Sequence, residues 1–87
     1  MNEIDGIIKL LIEDTEYEIA DRLKENKERI SKEPIWTWHD STYRKIVVLS
    51  DIISNNIQLV IRDYHNKITK TYTANNVSIR VRHGGCN

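Results

Sequence analysis

Arg62, Arg80 and Arg82, with Thr69 and Thr71 lying between them in sequence, are the side chains whose types and spacing could do chemistry in this chain. Guanidinium forks flanked by hydroxyls suit recognition of a phosphate or a carboxylate. Gathered on one sheet face, these five residues would form a site for an anion or for an acidic protein partner. A sheet face can also bind single-stranded nucleic acid, but that mode needs aromatic rings to stack the bases. Only Tyr64 falls near this face. The plain alternative is the solvated, Thr-rich side of a one-sided sheet.

Other constellations carry less. His39-Asp40-Ser41 holds the residue types of a catalytic triad, but a triad is defined by geometry rather than adjacency. His39, His65, His83 and Cys86 offer metal-ligand types, yet His83-Gly84-Gly85-Cys86 is one isolated pair and structural zinc sites use paired spacings. The sequence has no Gly-rich phosphate loop or P-loop pattern. Neither catalysis, nor a metal, nor a cofactor is therefore expected.

The elements that position the arginines come from two Asn-containing turns. With His65-Asn66 as a two-residue turn, Leu59 faces Tyr72 and Arg62 faces Thr69. With Asn75-Asn76 as the next, Tyr72 faces Ile79 and Thr71 faces Arg80. One face then collects Ile57, Leu59, Ile61, Ile68, Tyr72, Val77, Ile79 and Val81. The other collects Gln58, Arg62, Thr69, Thr71, Thr73, Ser78, Arg80 and Arg82, with Val60 the lone aliphatic. A one-residue slip would exchange the faces, so the pattern specifies the sheet. Lys70 breaks it by falling on the apolar face, where it must snorkel to the sheet's end or pair with a helix acid.

Residues 43–53 read as the first of four strands in an antiparallel meander. Their near-continuous apolar run, Ile46 to Leu49, suggests cover on both faces. Before it, residues 33–42 form a connection containing Trp36 and Trp38. If extended, both rings point the same way. They either cap the small core or supply a binding hot spot.

Residues 3–32 read as a helix. Ile4, Ile8, Leu11, Ile12, Thr15, Ile19, Leu23 and Ile30 recur at spacings of three and four. Thr15-Glu16-Tyr17-Glu18 fits a capping box, which allows a break near residue 14. A continuous helix would overshoot the sheet and leave the charged segment 24–32 free for a partner. Leu10 and Tyr17 would form a ridge behind the main stripe, suited to self-association.

Eighty-seven residues make a single α+β domain, of a size that buries only about 60% of its unfolded surface. One cysteine excludes an internal disulfide framework and fits a reducing, cytoplasmic setting. No apolar run suggests a signal or a membrane span. Net charge is zero but uneven: residues 1–21 hold seven acids and one base (−6), and residues 22–87 hold twelve bases and six acids (+6). This split either pairs within the fold or steers an acidic helix to a basic surface of another molecule. The expectation is a small, non-enzymatic, self-associating protein-interaction module. An Ile, Asn and Lys bias suits an AT-rich genome, as in phage or mobile-element proteins that inhibit a host protein. Binding of nucleic acid or a phosphate-bearing ligand on the arginine face is the alternative.

Overall fold

The computed structural model describes residues 3–51, 53–54, 56–74 and 77–79, with backbone alone at Ser78 and Ile79. Three helices, α1 (Glu3–Glu13), α2 (Tyr17–Glu25) and α3 (Lys27–Lys32), precede five strands. These are β1 (Ile35–His39), β2 (Lys45–Asp51), β3 (Asn56–Arg62), β4 (Ile68–Tyr72) and β5 (Val77–Ile79). The strands form one antiparallel sheet in chain order. The expected α+β meander is present, and the Trp-containing segment adds an edge strand to it rather than remaining a loop.

The single long helix is not formed. Glu16 donates its N–H to the Leu11 carbonyl at 2.8 Å and Thr15 to the Ile12 carbonyl at 3.0 Å, with Thr15 at φ 59°. That is a Schellman termination, which ends a helix with one residue in the left-handed region. The break lies where the capping box allowed one, but the device differs, because Glu16 occupies the N-cap and makes no side-chain cap. A second turn at Asn26 folds α3 back. The segment 24–32 is therefore no overhang: Ile30 is fully buried, its carbonyl accepts from Ser50 Oγ, and Lys27 pairs with Asp5 at 2.6 Å.

Folding the helical arm into three short pieces lets its apolar stripe match the sheet. Ile4, Ile7, Ile8 and Leu11 of α1, Ile19, Ala20 and Leu23 of α2, and Ile30 of α3 pack on Ile46, Val48, Ile57, Leu59, Ile61 and Tyr72. Gly6 permits a close approach to residue 74, since a Cβ there would lie 2.8 Å from the Ala74 carbonyl oxygen.

Leu59 faces Tyr72 as expected, but two registers differ. A bulge in β4 sets Arg62 against Ile68 rather than Thr69, moving Ile68 to the outer face. Across the last hairpin Tyr72 faces Val77 and Thr71 faces Ser78, two residues from the expected pairing with Ile79 and Arg80. A two-residue shift preserves the faces, because side chains alternate with period two. Asn75, Asn76, Arg80, Val81, Arg82, His83 and Cys86 lie outside the described residues.

Candidate interaction surface

The β1–β2 and β3–β4 turns share one design. In Asp40-Ser41-Thr42-Tyr43-Arg44, Asp40 Oδ1 accepts from the N–H groups of Thr42 and Arg44 at 3.0 and 2.9 Å, and Tyr43 N donates to the Asp40 carbonyl. In Asp63-Tyr64-His65-Asn66-Lys67, Asp63 Oδ1 accepts from His65 and Lys67 at 2.8 and 3.0 Å, and Asn66 N donates to the Asp63 carbonyl. Each is a tight turn closed by a left-handed residue, the common three-residue hairpin loop. The left-handed residues are Tyr43 (φ 65°) and Asn66 (φ 64°). Asn tolerates that region, whereas a bulky side chain does not.

These two turns sit side by side and enclose a groove of 450 Å³ lined by His39, Tyr43, Lys45, Tyr64 and Asn66, with Asp63 at its wall. Tyr43 is 74% and Tyr64 82% exposed. His39 lies opposite Lys45, and Lys45 opposite Arg62, so three basic residues cross the outer face in one row. Next to that row runs an aliphatic strip. Val47, Leu49, Val60 and Ile68 line a second hollow of 360 Å³ together with the polar Gln58, Arg62 and Thr71. No described element covers this face, because all the helices pack on the other. Val60, mid-strand between Val47 and Thr71, keeps only 7% exposure.

The five residues expected to form an arginine face fare differently. Arg62 and Thr71 line the outer hollow. Arg62 also braces its own hairpin by donating from Nη1 to the Asn66 carbonyl at 3.0 Å. Thr69 is the extra residue of the bulge, with its hydroxyl on the Ile61 carbonyl at 3.2 Å. Arg80 and Arg82 lie outside the described residues. Trp36 and Trp38 stack with ring centroids 4.4 Å apart, half-buried against the core, with the Arg29 guanidinium 5.8 Å from the Trp36 ring. Leu10 is partly buried against the core, and Tyr17 opens α2 with its ring largely exposed, so the two stand on separate helices.

A polar cluster that sequence reasoning missed locks the helical arm to the sheet. Arg44 makes a two-pronged contact with Glu16, at 3.0 and 2.8 Å, and reaches Asp40 Oδ2 at 2.8 Å. Lys70 Nζ stands 3.5 Å from Glu16 Oε2 and 3.9 Å from Asp14 Oδ2, and the Tyr72 hydroxyl donates to Asp14 Oδ2 at 2.7 Å. Glu18 accepts from the backbone and the hydroxyl of Ser41. Lys70 therefore pairs with acids, Asp14 and Glu16, that lie at the break between α1 and α2 rather than within a helix. Much of the acidic excess of residues 1–21 is met inside the fold.

The Arg44 hydrogen bonds pull the Glu16 carboxyl below its usual range against a burial cost. Burial pushes Asp40 up, but the N–H groups of Arg44 and Thr42, their side chains included, outweigh it and hold it below its usual range. Burial first, then Asp14, raises the Tyr72 phenol, and Glu16 foremost raises Arg44. Each group is driven away from proton transfer near neutrality, as expected of a cross-link. The signal for it was Lys70 on the apolar face, together with the alternating acids at 14, 16 and 18 beside the helix break.

Among the described residues, no group of three or more His, Cys, Asp or Glu could hold a metal ion, and no helix is long and apolar enough to cross a membrane. Comparison with protein-family models, curated proteins and solved structures returns no match.

Proposed function

We propose that this chain is a small, non-enzymatic, self-associating protein-interaction module whose working surface is the outer face of the sheet. The carrying observation is the aliphatic strip Val47, Leu49, Val60 and Ile68 on the face that no described element covers. A sheet face meant only for water carries polar residues at such positions. The strip is bordered by His39, Lys45 and Arg62 and by the exposed rings of Tyr43 and Tyr64. An apolar centre with Tyr and Arg around it is the composition of a protein-binding patch. The partner it suits presents an apolar ridge flanked by carboxylates. The saturated pairing of Glu16, Asp40, Arg44 and Lys70 supports a stabilising role for the titratable cluster rather than acid–base catalysis. The composition bias keeps a phage or mobile-element inhibitor of a host protein as the setting.

The test is capture of a partner by the immobilised chain, its identification by mass spectrometry, and reconstitution of the pair from purified components. Leu49→Ser and Tyr64→Ala should each weaken that pair at least about tenfold, as hot-spot truncations do, while thermal stability stays near wild type. Asp21→Ala, on the exposed side of α2, should leave it intact. Unchanged affinity in both outer-face variants would remove this surface from consideration. The Lys45 and Arg62 cations, in one row with His39 and beside two exposed tyrosines, also support the nucleic-acid or phosphate reading. That reading requires retention of an oligonucleotide by the purified chain, with affinity falling steeply as salt rises.

A further inference from the structure

The edge strand β1 points to a second copy of this chain as an occupant. Pro34 O accepts from Ser50 N at 2.8 Å and Asp40 N donates to Arg44 O at 3.0 Å. Hydrogen-bonded pairs alternate along an antiparallel ladder, so in the register of β1 with β2 the bonded pairs are 34/50, 36/48, 38/46 and 40/44. The amides and carbonyls of Ile35, Thr37 and His39 therefore face away from the sheet, and no described residue bonds to them. All three residues are exposed, Ile35 by 60%. Sheet edges are normally blunted by a charged lysine, a proline, a bulge or a cover. Within Ile35–His39 there is no proline, lysine or bulge, and the ladder behind it runs unbroken over five pairs.

We propose that two copies join antiparallel along β1, about a two-fold axis at Thr37, into one continuous sheet. The outward groups are self-complementary about that point. Ile35 would pair with His39 of the partner subunit, and Thr37 with Thr37 of the partner subunit. Three such pairs exchanging two bonds each give about six new hydrogen bonds. On the helix side, Trp36 meets Trp38 of the partner subunit in the closer, non-bonded pairs, so the two half-buried indole stacks merge. This names the partner in the self-association proposed above. It rests on the edge rather than on the aliphatic strip, so either can fail alone.

The experiment is light scattering on wild type, Thr37→Pro and Leu49→Ser, with a Thr37→Cys, Cys86→Ser chain oxidised in parallel. Proline at 37 removes an outward N–H that takes no part in the β1–β2 ladder. Wild type and Leu49→Ser should run as dimers, Thr37→Pro at half their mass, and the cysteine chain should give a cross-linked dimer on a non-reducing gel. A monomeric wild type overturns the proposal. So does a dimer that survives Thr37→Pro and yields no cross-link, which would move the seam to the helices near Leu10 and Tyr17. Should Thr37→Pro unfold, the cysteine chain alone decides.

Discussion

At the residue scale the most telling side chain is Tyr43. Its turn and that of Asn66 are built alike, with an aspartate accepting two amides and a left-handed residue closing the loop. Asn is at home in that conformation, while Tyr bears about 1 kcal/mol of steric cost there. The ring gains little in return, being 74% exposed. Backbone strain kept where a better residue would serve marks a side chain used for something else. Tyr43→Asn should raise stability by about 0.5–1 kcal/mol in a urea titration and should weaken the reconstituted partner complex. Equal stability together with unchanged binding would remove Tyr43 from the proposed surface.

At the element scale, the helical arm breaks without glycine or proline. Thr15 takes the left-handed position that ends α1, which is costly for a β-branched residue. Thr15→Gly should therefore raise the melting temperature, by about 1 kcal/mol of added stability, with the helical signal in circular dichroism unchanged. A fall in stability would mean that the contact of the Thr15 hydroxyl with the Asp14 carbonyl outweighs the strain. The break was legible only as an option, because the stripe of Ile and Leu runs through it. Tertiary contacts chose it: Glu16 and Glu18 reach Arg44 and Ser41 only if the chain turns there. The bulge at Thr69 was likewise invisible, since each neighbouring residue suits a strand. It carries Ile68 from the expected core face to the outer one and so lengthens the aliphatic strip.

At the scale of the whole molecule, one ionic cross-link joins the arm, the first hairpin and β4. Glu16 and Asp40 have lower pKa values folded than unfolded, so the unfolded chain binds more protons as acid is added. Their contribution is complete above the ordinary carboxyl range, near pH 4, and is lost as pH falls through the lowered folded values. Denaturant midpoints should accordingly begin to drop as pH falls into the ordinary carboxyl range near 4 and go on dropping below it. Glu16→Gln should be less stable than wild type at pH 7 and should show a shallower loss on acidification. Parallel pH curves for the two chains would show that Glu16 does not carry the linkage.

The sequence by itself determined the α+β class, the antiparallel meander and the core face of β3 and β4 at Ile57, Leu59, Ile61 and Tyr72. Period-two alternation is a local property that survives even a two-residue error in register. It also exposed Lys70 as a charge on the apolar face that had either to snorkel to the sheet's end or to pair with an acid. Only the tertiary structure decided how the helical arm folds, that residues 35–39 form an edge strand, and which side chains share the outer surface. Those outcomes depend on contacts between residues far apart in the chain. Arg44 lies 28 residues from Glu16, and Tyr72 lies 58 from Asp14. The His39, Lys45 and Arg62 row forms only when three strands are in register. Periodicity reports which side of an element is apolar, and pairing between distant elements decides what stands next to what.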